Sequence, residues 1–156
     1  MSAIGKFHIR PIEARDRSAW VAQRAALWPD AAPVELDREA ERYFAKPNDR
    51  IFPEIVFVAE NGGHLVGMIE LSLRSVADGC VSSPVPYIEA WFVVEPARRQ
   101  GVGRALVDAA EAWARAQGFA EMASDVQLEN QVSEAAHKSL GFEEVERAIL
   151  FRKPLD

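Results

Sequence analysis

The segment Val94-Glu95-Pro96-Ala97-Arg98-Arg99-Gln100-Gly101-Val102-Gly103-Arg104-Ala105-Leu106 constrains this chain more than any other. It follows the apolar run Tyr87-Ile88-Glu89-Ala90-Trp91-Phe92-Val93-Val94, which reads as a strand, and precedes an amphipathic run over 102–117, which reads as a helix. Pro96 stops the strand. A helix N-terminus carries unpaired N–H groups and about half a positive charge. Gly101 and Gly103 keep Cβ atoms out of the path of an anion approaching that backbone, and Arg98, Arg99 and Arg104 add charge around the same point. The segment predicts a strand, a tight turn and a helix that together seat a phosphate or pyrophosphate. It is not the dinucleotide G-x-G-x-x-G turn, because Leu106 stands at the third glycine. It is not a P-loop, because no Lys-Ser/Thr pair follows Gly103.

The rest of the chain reads around this unit. Residues 7–12 alternate as a first strand. Residues 16–28 form a helix with Trp20, Val21, Ala25 and Trp28 near helical spacing and Asp16 as its N-cap. Pro29 and Pro33 bracket a turn before a charged helix over 34–45. Residues 55–60 and 64–74 read as a hairpin around Asn61-Gly62-Gly63. A Ser-, Gly- and Pro-rich loop over 76–86 leads into the strand at 87–94. The helix over 102–117 presents Leu106, Ala109, Ala110, Trp113 and Ala116 on one face and stops at Gly118. A short strand over 120–126, a helix over 131–140 ending at Gly141, and a final strand or hairpin arm over 142–152 complete the order. This interleaving predicts an α/β (α+β) fold, a mixed sheet with helices on both faces.

A length of 156 residues fits one domain spanning 1–156, and 49% hydrophobic residues exclude a disordered chain. No apolar run approaches the ~20 residues that span a bilayer, and the opening MSAIGKFHIRP has no apolar signal-peptide region, so a soluble, cytoplasmic protein is expected. The single Cys80 leaves no intramolecular disulfide and no cysteine-based zinc site. A net charge of −6 argues against nucleic acid and suits a cationic partner.

Several side chains stand out chemically. Glu89 is a lone carboxylate in an apolar strand, a costly position unless it is paired or functional. Strict alternation puts it on one face with Tyr87 and Trp91. Asp125 follows a strand, where ligands of open α/β sheets bind, or else simply starts a turn. Asn130 caps the helix that follows it. His137 lies one turn from that helix's end, and Glu143, Glu144 and Glu146 form an acidic cluster beyond it.

The run Arg98-Arg99-Gln100-Gly101-Val102-Gly103 resembles the R/Q-x-x-G-x-G/A turn of the GNAT superfamily of acetyl-CoA-dependent N-acetyltransferases. The order of elements matches, and His137-Lys138-Ser139-Leu140-Gly141-Phe142 resembles that superfamily's last helix-to-strand corner, with His137 where many members carry Tyr. Leu27-Trp28-Pro29, Ser82-Ser83-Pro84, Tyr87-Ile88-Glu89, Ala123-Ser124-Asp125, Glu129-Asn130 and the run Leu140 to Arg147 are together similar to aminoglycoside 6′-N-acetyltransferases. The resemblance implies a GNAT-like acyl-CoA N-acyltransferase fold whose fourth and fifth strands splay apart. It implies acetyl-CoA as cosubstrate, no metal, and binding through Trp91, Phe92, Val93, Arg98, Arg99, Gln100, Gly101, Val102, Gly103, Arg104 and Asn130. It implies an aminoglycoside held by Trp28, Glu89, Asp125 and, across a homodimer, Glu146 of a neighbouring subunit. Glu89 and Asp125 are the expected proton-handling carboxylates, and His137 the expected acid for the departing thiolate. A backbone N–H of 91–94 is the expected oxyanion donor. Alternative acceptors are a polyamine, a protein N-terminus or a lysine. A non-catalytic acyl-CoA sensor is a further alternative.

Overall fold

The computed structural model describes residues 6–45 and 53–155. Two largely apolar runs, buried on both faces, give the centre of the sheet. β2 (Ile55–Asn61) and β3 (His64–Arg74) pair antiparallel, and the turn between them puts Gly62 and Gly63 at φ 57° and 82°. β1 (His8–Pro11) pairs with β2, and β4 (Val85–Val93) with β3, both antiparallel. β5 (Ala123–Ser124) pairs parallel with β4. The sheet is therefore mixed, in the order β1-β2-β3-β4-β5.

Alternate residues serve two cores. Phe57, Ala59, Ile69, Leu71 and Ile88 pack against Val102, Leu106, Val107 and Ala110 of α3 (Val102–Ala116). Val56, Val58, Met68 and Ala90 pack on the other face against Trp20 of α1 (Arg17–Leu27) and Ala40 of α2 (Pro33–Ala45). Each buried Val, Leu, Ile, Phe or Met among these contributes roughly 1.5–3 kcal/mol. α4 (Gln131–Ser139) follows β5, and Gly141, at φ 89°, turns the chain beyond it.

Four expectations are corrected. Asp16 does not cap α1 with its side chain. Its carboxylate accepts from the Glu13 N–H at 2.8 Å and from Arg10 at 2.6 and 2.9 Å, closing a short 3-10 turn that precedes the helix. The buried stripe of α3 runs through Val102, Leu106, Val107, Ala110 and Ala114, and Ala116 is exposed. The strand expected over 120–126 contracts to Ala123–Ser124. No strand forms over 142–152. Val145, Ile149, Leu150 and Phe151 are exposed there, because no strand edge within the described residues pairs with this segment.

One polar cluster is sealed between α1, α2 and the sheet. Glu70 of β3 is fully buried and accepts from Trp20 Nε1 at 2.7 Å. Arg24 Nε lies 3.0 Å from the same oxygen, close enough to pair though not aligned as a hydrogen bond, and Arg24 NH2 reaches Glu39 at 2.7 Å. Burial pushes the Glu70 carboxyl up to about 7, outweighing the opposing pull of Arg24 and Trp20. Between its ordinary value and about 7, the folded chain keeps a proton that the unfolded chain has lost, so stability falls as pH rises through that window. Glu70→Gln is expected to flatten this dependence in urea titrations at a series of pH values. Glu70→Ala strands a buried guanidinium and an indole N–H, and is expected to lower the unfolding free energy by about 3–5 kcal/mol.

Candidate active site

The site begins where a ladder stops. β4 and β5 pair only at Tyr87–Ala123 and Ile88–Ser124, so Glu89 to Val93 has no strand partner on that side. The Val94 N–H donates to the Val66 carbonyl at 3.0 Å, toward β3. Alternation then turns the Trp91 and Val93 amides to the open edge. Arg98 Nε donates to the Val93 carbonyl on that edge at 2.9 Å. The open edge thus offers two backbone donors in a line.

The basic turn lies at the end of the same edge. Residues Glu95–Ala97 make a 3-10 turn, and Gly101, at φ 84°, caps α3. Arg99 takes φ 59°, a left-handed conformation that ordinary side chains seldom adopt. Arg98 is committed to the Val93 carbonyl, Gln100 Nε2 donates to the Pro96 carbonyl at 2.7 Å, and Arg104 reaches toward the Ser139 carbonyl at 3.5 Å. Arg99 is exposed and makes no such contact among the described residues, so its charge faces solvent beside the helix N-terminus. Val102 is buried in the core, so only its amide is available to an anion. Phe92 belongs to the α1–α2 side of the sheet. Gly103 also lies close to the core: a Cβ there would lie 3.1 Å from Trp91 Cζ2, so this glycine lets the indole pack on α3.

The acceptor carboxylates meet on the α1–α2 face. Glu70 pairs with Ala90 and Leu71 with Ile88, which leaves Glu89 as the extra residue of a β-bulge. Alternation breaks there. Tyr87 and Glu89 share a face, but Trp91 packs on the α3 side, contrary to the strict alternation read from the sequence. Glu89 Oε1 accepts a short hydrogen bond from the Ser72 hydroxyl. Arg74 grips the same carboxylate with Nε at 2.7 Å and NH2 at 2.6 Å. The guanidinium lies 3.5 Å from the Tyr87 ring centroid, and the Tyr87 hydroxyl donates to Asp125 Oδ1 at 2.8 Å. Burial, then the bond to Asp125, pushes the Tyr87 hydroxyl above its ordinary range, so it stays a donor. Glu89 and Asp125 are therefore brought into one network.

His137 lies across the sheet. Its ring stacks edgewise between Trp91 and Phe142, with centroids 5.3 and 5.2 Å away. Nδ1 lies 2.7 Å from the Ser133 carbonyl, which only accepts, so the proton is on Nδ1. Nε2 lies 2.8 Å from Ser124 Oγ and accepts from it in the neutral ring.

Other expected residues stand apart from this network. Trp28 packs over Arg24, 5.2 Å from guanidinium to ring centroid, in the α1–α2 core. Asn130 Oδ1 accepts from the Ser133 N–H at 3.0 Å as the cap of α4. Glu146 is exposed, whereas Glu144 pairs with Arg147 at 2.5 Å and Lys138 at 3.1 Å. Sequence reasoning missed Ser72, Arg74 and Ser124. The signal for the first two was Glu70-x-Ser72-x-Arg74, three polar side chains at a period of two along an otherwise apolar strand.

Comparison with known proteins places this geometry. The acetyltransferase (GNAT) family model matches residues 19–142. An aminoglycoside N(6′)-acetyltransferase type 1 from Klebsiella aerogenes is 45% identical over 147 residues, covering 94% of this chain and 96% of the relative. One from Stenotrophomonas maltophilia is 39% identical, covering 95% of this chain and 94% of the relative. Among solved structures, AAC(6′)-Iy in complex with the bisubstrate analogue CoA-S-monomethyl-acetylneamine superposes with a TM-score of 0.85 at 32% identity, over 97% of this chain and all of that one. The apo aminoglycoside 6′-N-acetyltransferase AAC(6′)-IG from Acinetobacter haemolyticus gives a TM-score of 0.84 at 30% identity, over 96% and 99% of the two chains.

The turn makes a prediction of its own. A Cβ at position 101 meets no atom within 4 Å, but φ is 84°. Gly101→Ala is expected to cost about 1–2 kcal/mol in chemical denaturation, through backbone conformation alone.

Proposed function

The chain belongs to the GNAT acetyltransferase family, and we propose that it transfers acetyl from acetyl-CoA to the 6′-amine of an aminoglycoside. The observation that carries this reading is the pairing of two carboxylates, Glu89 and Asp125, in one network beside an unpaired strand edge. The names of its relatives support it. So does the acidic composition, since an aminoglycoside brings several ammonium groups.

Each residue then has a task. The Gly101 end of α3, with Arg99, Arg98 and Arg104 around it, supplies N–H groups and positive charge for the pyrophosphate of coenzyme A. Gln100 and the Val102 amide line the same turn, and Asn130 stands at the start of α4 beside the path of the pantetheine arm. The open edge at Trp91, Phe92 and Val93 pairs with that arm. The free Trp91 and Val93 amides stabilise negative charge developing on the acetyl oxygen, a role worth roughly 3 kcal/mol in comparable sites. Glu89 accepts from Ser72 and twice from Arg74, which leaves one of its about four lone-pair positions to orient the acceptor amine. Asp125 Oδ2 has no partner among the described residues, and it holds a second ammonium or takes the released proton. An acceptor amine with a pKa of roughly 8–10 is only about 0.1–10% neutral at pH 7, so this proton transfer matters. His137, in its imidazolium form, passes a proton through the Ser124 hydroxyl to the departing thiolate.

The same reading assigns a homodimer in the cytoplasm. Val145, Ile149, Phe151 and Leu155 are apolar and exposed in one chain, as a segment covered by a second copy would be. Glu146 lies within that segment and would enter the partner's pocket, and Trp28 would border the substrate. No helix among the described residues is long and apolar enough to cross a membrane.

Thiol-release rates across aminoglycosides with and without a 6′-amine, spermidine and a lysine peptide test the proposal. Turnover restricted to 6′-amino aminoglycosides is expected. Turnover of the peptide alone, or indifference to the 6′-amine, overturns it. Asp125→Asn is expected to raise KM for the aminoglycoside about tenfold, the loss of about 1.4 kcal/mol of binding, with coenzyme A affinity unchanged.

A further inference from the structure

A pocket that gathers ammonium groups works against amine acylation. Each carboxylate near the acceptor stabilises its protonated form, and only the neutral amine attacks. The structure carries a counterweight that neither motif nor composition announced. Arg74, the last residue of β3, holds both oxygens of Glu89, at 2.7 and 2.6 Å, and its guanidinium carbon lies 3.5 Å from the Tyr87 ring centroid. Glu89 raises the Arg74 guanidinium still further above its ordinary value, so Arg74 stays charged across the working pH range.

The other charges facing this point are few. Asp125 lies beyond the Tyr87 hydroxyl, after β5. Deeper on the same face, Glu70 of β3 and Glu39 of α2 both lie beside Arg24 of α1, at 3.0 and 2.7 Å. His137 of α4 stands on the opposite face, behind Trp91. Glu89 is thus the carboxylate that Arg74 bonds directly, while Asp125 meets that charge only through space.

We propose that Arg74 sets the protonation state of the acceptor amine: it neutralises Glu89 and repels a second cation there, so the amine docked on Glu89 is neutral while Asp125 keeps hold of a neighbouring ammonium. The inference rests on the reading above that Glu89 receives the amine to be acetylated. The proton displaced from that amine leaves to solvent water. Arg74 acts on the acceptor's charge and on the Glu89 carboxylate, so it is a positioning residue and not the base. A unit charge within about 4–6 Å of a titrating group moves its pKa by roughly 1–3 units, and removing Arg74 removes an effect of that order.

The test is the pH profile of acetyl transfer at saturating aminoglycoside, measured in single turnovers with enzyme preloaded with acetyl-CoA. Arg74→Gln keeps an amide that donates to Glu89 but discards the charge, and Arg74→Lys keeps the charge. In Arg74→Gln the acidic limb is expected to move up by about one unit or more. The rate below the limb then falls about tenfold or more, and the profiles converge at high pH. Arg74→Lys is expected to restore the original limb, and two acceptors whose 6′-amines differ in pKa should give limbs separated by that difference. A limb that stays in place while the rate drops equally at every pH overturns the proposal, as does a limb indifferent to the acceptor's own pKa. If the unmodified enzyme turns over no aminoglycoside, the functional reading fails instead. Equal coenzyme A affinity in all three proteins verifies that the variants are folded.

Discussion

The bulge at Glu89 decides which side of the sheet each functional group occupies. Before it, Ile88 faces α3 and Tyr87 faces α1 and α2. After it, Trp91 faces α3 while Ala90 and Phe92 face α1 and α2. One extra residue therefore lets Glu89 join Tyr87 and Asp125 on one face while the Trp91 indole reaches His137 on the other. The short β5 completes the arrangement. With its ladder confined to two residue pairs, the backbone between the two faces is left open. Carboxylates thus lie on one face, an imidazole on the other, and an unpaired strand edge between them.

Charge is handled differently at two depths. Glu70 and Arg24 are both nearly inaccessible, with Arg24 against the Trp20 and Trp28 rings, and their burial is offset only in part by each other and by one indole N–H. Burial still raises Glu70, which makes this cluster a pH-sensitive part of the core. Further along β3, Ser72 and Arg74 bond Glu89 at the rim, where the Arg74 side chain is 45% exposed and its ion pair lies open to solvent. The polar stripe of one strand thus runs from a structural pair to a chemical one.

Legibility in the sequence followed the reach of the interactions. The β2–β3 hairpin, α3 and the turn between β4 and α3 were readable because alternation, glycines and a proline act within a few residues. The partner of Glu89 was not, since Arg74 is fifteen positions away and meets it only through β3–β4 register. The face of Trp91 was misread because a bulge leaves no mark in an apolar run. The arm over 142–152 carries the apolar run Ala148 to Phe151, but such a run supplies only one side of a ladder. The closeness of Gly103 to the Trp91 indole was not legible either, since the two meet only where α3 packs on β4.

The sequence by itself determined the elements, their order and the basic turn, because helix periodicity, strand alternation and glycine conformation are local properties of the chain. It also determined that Glu89 needed a partner, because a carboxylate in an apolar strand is costly wherever the strand lies. Only the tertiary structure decided that the partner is a cation, that Asp125 joins through Tyr87, and that the His137 ring lies on the far face with Nδ1 against the Ser133 carbonyl. Those outcomes depend on register and on where a ladder ends, and both are set by pairing between segments that the sequence presents separately.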